Sequence, residues 1–337
     1  MEKKRQIIYG LLAAFAMLLL ILDTKTALAG ATEGLMLCFK TVVPSLLPFF
    51  VLSIFLTASI SGTSSRFLAP LGSLCRIPQG SETLLLTGFM GGYPVGAQNV
   101  YQLWHSGQLS TACANRMLGF CSNAGPAFIF GIVALQFQEK WAGWVLWGIH
   151  ILSALLTAVM LPGDDKRQKV QPASNNITLA EAVNVAVSVM SRVCGWVVLF
   201  RMVIAFLQRW VLWLLPLWAQ TLICGALELS NGCCMLDTVA DPQVRFILAS
   251  CLLACGGLCV GMQTAGVTGE LGTGMYFTGK LLQTLFSISL STVLFPAFSG
   301  GNINILLVFW IISAILLIVK ILVAFQRKLM YNSSIYQ

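Results

Sequence analysis

Long apolar stretches recur along this chain from one end to the other, and they restrict its fold more than any other feature. Many approach the roughly 18 to 20 residues that a helix needs to cross a membrane. Hydrophobic residues make up 57% of the 337 positions and charged residues only 9%, whereas soluble domains carry about 25%. The sequence therefore predicts an all-α polytopic membrane protein. Spans are expected near residues 7–22, 35–60, 118–136, 142–161, 193–218, 245–262, 281–297 and 303–325.

Two further apolar stretches, residues 83–97 and 220–235, are too interrupted to be ordinary spans. Glycines and Pro94 break the first, and Glu228, Ser230 and Asn231 break the second. Irregular backbone is tolerated at membrane depth only where protein or a water-filled cavity surrounds it. Each stretch is therefore predicted to be a re-entrant hairpin, which enters and leaves the bilayer on the same side.

The basic residues orient these spans. The net charge of +8 comes from short Lys and Arg clusters beside apolar segments, which are topology signals and not a nucleic-acid surface. With the N-terminus inside, the positive-inside rule places most of them in the cytoplasm. This cytoplasmic set is Arg66, Arg76, Arg116, Lys166, Arg167, Lys169, Lys280, Arg327 and Lys328. The outer set is mainly Lys25, Lys140, Arg209 and Arg245.

The N-terminal segment allows two interpretations. A basic start, an apolar run and Ala27-Leu28-Ala29 would fit a cleaved signal peptide. An uncleaved first helix fits better, because basic residues before the first span already orient a multispanning protein. Residues 1–34 are therefore expected to be a transmembrane helix followed by a loop.

A polar linker, Gly163 to Thr178, divides the rest of the chain into two halves. Residues 35–162 and 179–300 each show a long span, a short glycine-broken segment and a glycine-rich span, and residues 301–337 add a last helix and a cytoplasmic tail. TLLLTG at Thr83 matches TLICGA at Thr221, and PFFVLSIFL at Pro48 matches LFRMVIAFL at Leu199. The predicted topology gives the two long spans opposite directions, which is typical of inverted repeats.

The motif GGYPVGAQ in the first hairpin frees several backbone groups from helical pairing. Those groups need water, protein or a ligand, so the motif indicates either a solute site or a close helix crossing. Its candidate site residues are Gly91, Gly92, Tyr93, Pro94, Gly96 and Gln98. FCSNAGPAFIFG, which begins at Phe120, breaks a span in a similar way. Its candidates are Ser122, Asn123 and Gly125, and the alternative there is a proline-kinked helix whose Asn bonds a neighbour.

In the second half, GALELSNG and GGLCVGMQTAG carry the corresponding polar residues. A lone buried carboxylate costs several kcal/mol unless it is paired, protonated or hydrated. Glu228 is therefore a candidate for proton coupling or for an ion pair with Arg201. Arg201 itself could bind a solute carboxylate, or it could reach an interface. The remaining candidates of this half are Ser230, Asn231 and Gln263.

Cofactor, metal and enzyme chemistry have no positive support. Cys251, Cys255 and Cys259 are spaced by four, which would place them on successive turns and not around one ion. His105 and His150 have no partner at ligand spacing, and no catalytic motif is present. We expect no metal site, no cofactor and no enzyme.

The chain resembles the sporulation integral membrane protein family of endospore-forming bacteria, whose members carry nucleoside-recognition, or Gate, domains. The resemblance rests on an ordered series of motifs along nearly the whole chain. These are PSLLPFF at Pro44, GGYPVGAQ at Gly91, RMLGFCSNAGPAFIFG at Arg116, GALELSNG at Gly225 and GGLCVGMQ at Gly256.

This resemblance implies a fold like that of the concentrative nucleoside transporters, in which two inverted repeats each contribute a re-entrant hairpin and a broken helix to the solute site. It also implies transport of dipicolinate across the outer forespore membrane during stage V of sporulation. The two hairpins and two helix breaks would then surround a small dicarboxylate, with a proton or sodium ion as coupling ion. Transport of a neutral nucleoside and a non-transporting scaffold for the spore envelope remain alternatives.

Overall fold

The computed structural model describes residues 2–60, 67–163 and 177–300, and its regular elements there are helices. The helices before the predicted linker are α1 (Glu2–Leu22), α2 (Thr24–Leu37), α3 (Val43–Ile60), α4 (Ala69–Leu74), α5 (Thr83–Met90), α6 (Val95–His105), α7 (Thr111–Cys121), α8 (Pro126–Phe128) and α9 (Trp141–Met160). The second-half helices are α10 (Leu179–Trp210), α11 (Leu217–Leu227), α12 (Leu229–Cys234), α13 (Pro242–Cys255), α14 (Gly257–Thr268) and α15 (Gly274–Phe298).

Six helical segments among the described residues are long and apolar enough to cross a membrane. They are Thr24–Leu56, Thr111–Gln136, Trp141–Met160, Leu179–Trp210, Pro242–Leu271 and Gly274–Phe298. These segments confirm an all-α, multi-pass membrane protein. The span predicted at 303–325 lies outside the described residues, as does most of the predicted linker.

The N-terminal part differs from its prediction. The segment after Asp23 was expected to be a loop, but it is helix α2, which continues through a π-helical turn (Cys38–Val42) into α3. Asp23 starts this helix, because its side chain accepts a hydrogen bond from the Thr26 amide at 3.3 Å. The predicted loop is therefore the first third of a long helix.

Helices α2 and α10 pack closely and run in opposite directions. A Cβ placed on Gly30 would lie 2.9 Å from the Cα of Met202, and one on Gly34 would lie 2.9 Å from the Cα of Val198. From Gly30 to Gly34 on α2, the contacted residue on α10 changes from Met202 back to Val198, so the two helices are antiparallel. The predicted opposite directions concerned the spans at 35–60 and 193–218, and α2 lies mostly before the first of these, so the inverted repeat stays a prediction.

Helix α10 is displaced from the span predicted at 193–218. It begins after a capping box, in which the Thr178 hydroxyl accepts from the Glu181 amide and the Glu181 carboxylate accepts from the Thr178 amide. It ends at Trp210, and a 3₁₀ turn (Leu212–Leu214) leads into α11. The prediction was wrong at both ends, because the capping box starts the helix before the apolar run and the 3₁₀ turn follows its end at Trp210.

Helix α15 packs against α7, α9 and α13. Its crossing with α7 depends on two glycines, since a Cβ on Gly279 would lie 2.1 Å from the Gly119 carbonyl oxygen. Its contact with α13 includes a hydrogen bond of 2.7 Å between the hydroxyls of Ser250 and Ser287. Side chains of α15 therefore reach the interior of both halves.

Candidate functional site

The first predicted hairpin is formed by α5 and α6, whose arms touch directly. A Cβ on Gly96 would lie 3.2 Å from the Cα of Gly88, and the Asn99 amide donates to the Thr87 hydroxyl at 3.2 Å. The non-helical residues between the arms run from Gly91 to Pro94, with a cis bond before Pro94 and φ of +71° at Gly92.

The second hairpin is formed by α11 and α12, and its arms are also in contact through glycines. A Cβ on Gly232 would lie 2.2 Å from the Cα of Gly225, so both arms need glycine at their contact. The turn between the arms is a single residue, Glu228. Glycine contacts between the arms are thus common to both halves.

Each hairpin packs against a broken helix of its own half. In the first half, α7 ends at Cys121 and α8 begins at Pro126, and a Cβ on Gly125 would lie 3.0 Å from the Gly92 nitrogen. In the second half, Gly256 with φ of +73° separates α13 from α14, and a Cβ on Gly257 would lie 2.7 Å from the Gly225 carbonyl oxygen. The four irregular segments therefore form two matched pairs.

The two hairpin tips, the first helix break and α14 border one cavity. Seven of the predicted site residues line it: Gly91, Gly92, Tyr93, Gly125, Glu228, Ser230 and Gln263. The other lining residues are apolar: Val42, Leu46, Phe49, Phe50, Met90, Ala124, Ala127, Phe128, Val193, Val197, Leu229 and Val260. The cavity is thus an apolar space with a few polar groups, the usual composition of a small-molecule site.

The remaining predicted site residues lie behind the cavity wall or away from it. Pro94 is the first residue before α6, and Gly96 packs on the Cys121 carbonyl oxygen. Gln98 is half-buried on α6. Ser122 and Asn123 are buried in the helix break. None of these residues lines the cavity, so they could affect a bound solute only by positioning the residues that do.

Glu228 is 2% exposed and caps the N-terminus of α12. Its carboxylate accepts from the Ser230 amide at 3.1 Å, from the Asn231 amide at 2.8 Å and from the Asn231 side chain at 2.7 Å. Hydrogen bonds from backbone amides and the helix dipole stabilise a carboxylate here. The buried acid is therefore compensated by its own hairpin.

Arg201 lies away from the cavity and does not pair with Glu228. Its guanidinium forms an ion pair with Glu33 of α2 and donates to Gln208 at 2.9 Å. Of the two alternatives predicted for Glu228, the ion pair with Arg201 is therefore wrong. The physical reason is that α2, which the sequence did not reveal as a helix, brings Glu33 to the same face of α10.

The structure also shows a buried lysine that the sequence analysis assigned to the cytoplasmic loops. Lys280 is 4% exposed, and its ammonium group donates to the Tyr93 hydroxyl at 3.0 Å, to the Gln283 side-chain oxygen at 2.7 Å and to the Ser122 carbonyl. Gln283 in turn donates to the Asn123 side chain at 3.0 Å. Lys280 therefore connects α15 with the first hairpin and the first helix break.

A sequence signal for this network exists. Lys280, Gln283, Ser287 and Ser291 are spaced by three or four residues, and all four are buried on α15. That spacing places polar side chains on one helical face. A span with such a stripe faces protein rather than lipid, so Lys280 could have been recognised as an interior residue.

The predicted cysteine stripe is interrupted. Cys251 and Cys255 belong to α13, whereas Cys259 belongs to α14 beyond the left-handed Gly256. The Cys259 sulfur accepts from the Gln263 amide at 3.2 Å. Within the described ranges, no three His, Cys, Asp or Glu side chains come together as metal ligands would.

Comparison with known proteins adds a relationship to this geometry. The chain is similar to a sporulation integral membrane protein. This relative, YlbJ of Bacillus subtilis (strain 168), is 26% identical over 327 residues, and the match covers 82% of this chain and 80% of the relative. No protein-family profile and no solved structure matches the chain. The name of the relative supports the resemblance given by the motifs, while the Gate domains stay a prediction.

Proposed function

We propose that this protein transports a small polar metabolite across a membrane of a spore-forming bacterium. The observation that carries the proposal is the cavity, where the two hairpin tips, the first helix break and α14 meet inside an apolar helical protein. Irregular backbone at membrane depth is costly unless it lines a polar cavity or is buried in protein. Transporters place their solute sites at such discontinuous helices. The similarity to a sporulation integral membrane protein supports the assignment to a spore-forming bacterium.

The substrate we propose is dipicolinate, and the membrane is the outer forespore membrane. The family resemblance supports both. Two backbone amides at the cavity support an anionic solute, because within the described ranges neither the Gly92 nor the Gly125 amide has a hydrogen-bond acceptor. Amide groups of this kind bind carboxylates at helix N-termini. The proposal includes no catalysis, cofactor or metal.

A neutral nucleoside is the second candidate. Its supporting observation is that, among the described residues, the lining contains the polar side chains of Tyr93, Ser230, Gln263 and Glu228 but no Lys or Arg. Hydroxyl, amide and carboxylate groups suit the ribose and base of a nucleoside. A carboxylate solute would have to bind at a distance from Glu228.

The proposed topology has two Gate-like repeats, residues 35–162 and 179–300, inverted with respect to each other. Their hairpins would enter the bilayer from opposite faces, and a proton or sodium ion would drive transport. In a variant without its native cysteines, Phe67→Cys and Gly107→Cys should react with an impermeant thiol reagent from one side of the membrane. Trp213→Cys and Asp237→Cys should react from the other side. Labelling of Phe67→Cys and Gly107→Cys from different sides would show that residues 83–105 cross the membrane.

The test of function is uptake by vesicles containing the purified protein. We expect uptake of radiolabelled dipicolinate that is saturable and changes with a proton gradient, and less uptake of uridine. Gln263→Leu, which removes a polar cavity group, should reduce uptake, whereas Gln220→Leu, outside the cavity, should not. Greater uptake of uridine would select the nucleoside. No uptake of either solute, together with a stable crosslinked protein partner, would support a scaffold instead.

A further inference from the structure

Lys280 is a buried positive charge with neutral hydrogen-bond partners. The directions of the bonds around it indicate an ammonium group. Asn123 donates to the Phe120 carbonyl at 2.7 Å, so its side-chain oxygen accepts from Gln283. The oxygen of Gln283 therefore faces Lys280.

The hydrogen bonds of the Tyr93 hydroxyl also indicate that Lys280 is the donor. Its proton goes to the Leu253 carbonyl at 3.2 Å, which leaves its oxygen to accept from Lys280. Together with Ser122 and Gln283, Tyr93 gives Lys280 three acceptors. Three is the number of protons on an ammonium group.

No carboxylate neutralises this charge within the described part of the chain. The other buried charged residues there are Glu82, Arg116 and Glu228. Glu82 accepts from the Gly80 amide, and Glu228 is occupied by its own hairpin. The ion pairs of the described residues do not include Lys280. A buried charge without a partner costs several kcal/mol, and a bound anion nearby would reduce that cost.

Lys280 adjoins the cavity through residues that line it. Its nitrogen lies 5.0 Å from the centre of the Tyr93 ring, and Tyr93 lines the cavity. Its acceptor Ser122 belongs to the helix break that continues into the lining residues Ala124 and Gly125. Lys280, Tyr93 and Ser122 are all buried, so the charge is weakly screened at the cavity.

We propose that Lys280 is a specificity-determining residue that makes the cavity favour anionic over neutral solutes. It acts by its electric field through Tyr93 and the first helix break, without touching the solute. This inference rests on the proposed transport function and adds the residue that selects the charge of the solute.

The test compares two solutes of one shape, dipicolinate and its neutral diamide, pyridine-2,6-dicarboxamide. Binding of each to the purified full-length protein is measured for the wild type, Lys280→Met and Gln283→Glu. Lys280→Met removes the charge, and Gln283→Glu keeps the lysine but gives it a counter-ion. Lys140→Met, at an exposed position, is the matched control.

We expect both variants to reduce the preference for dipicolinate over the diamide by about tenfold or more, and the control to leave it unchanged. A purely structural role would instead leave this ratio unchanged, since both solutes would be affected equally. If Lys280→Met does not fold, Gln283→Glu alone decides the outcome.

An unchanged ratio in Gln283→Glu would overturn the inference, and so would a wild type that binds the diamide as tightly as dipicolinate. In both cases transport through the cavity would still stand. A wild type that neither binds nor transports any tested solute would remove the transport proposal and this inference together.

Discussion

The contact between the first hairpin and the first broken helix can be tested with one methyl group. A Cβ on Gly96 would lie 2.0 Å from the Cys121 carbonyl oxygen, and one on Gly88 would lie 2.2 Å from the same atom. Ordinary contacts of this kind are about 3.5 Å, so Gly96→Ala must separate the two elements by about 1.5 Å. Such overpacking typically costs about 1–3 kcal/mol.

The separation would also reach the cavity. Gly92 at the hairpin tip packs on Gly125 of the same broken helix, and both residues line the cavity. We therefore expect Gly96→Ala to lower both the melting temperature of the detergent-purified protein and solute binding. The double variant with Gly88→Ala should be affected more strongly than either single variant.

The matched control is Gly148→Ala. Gly148 lies in helix α9, and a Cβ there would have no atom within 4 Å. Replacing glycine by alanine in an open helical position stabilises the helix by about 1 kcal/mol. Equal melting temperatures for Gly96→Ala and Gly148→Ala, with unchanged solute binding, would refute the close packing described here.

Three further predictions concern charge and helix packing. Glu228→Gln should lower the melting temperature, because hydrogen bonds to a charged group contribute about 1.5–3 kcal/mol each; an unchanged value would argue against the capping role. Arg201→Gln should lower the melting temperature, because it removes the ion pair with Glu33. Vesicle uptake should then persist, and its loss at normal protein level would restore Arg201 as a solute ligand. Gly30→Val should lower the melting temperature more than Gly10→Val, because only the first position packs against another helix, and equal effects would contradict the α2–α10 contact.

The irregular segments could be predicted because their causes are local. Glycines and Pro94 remove helical pairing wherever they cluster, and Glu228 is followed by residues that it can cap. The structure shows a break at each predicted place. That they would surround one solute site was implied by the family resemblance, and seven of the fourteen candidate residues line one cavity.

The partners of the buried charges could not be predicted, because they come from distant parts of the chain. Arg201 and Glu33 are 168 positions apart, and their pairing requires α2 to be a helix. Lys280 was assigned to a loop because it precedes the apolar run at 281–297. In the structure α15 begins at Gly274, so Lys280 lies two turns inside the helix and faces the first half.

Each half has a hairpin packed against a broken helix, but the charged side chains near these elements differ between the halves. In the second half, the carboxylate of Glu228 already occupies the N-terminus of α12. In the first half, the hairpin tip and the helix break have no carboxylate, and Lys280 lies behind Tyr93. A solute anion is therefore repelled from one side of the cavity and attracted to the other. It follows that a dicarboxylate would bind beside Gly92 and Gly125 of the first half, while the second half would contact its uncharged edge.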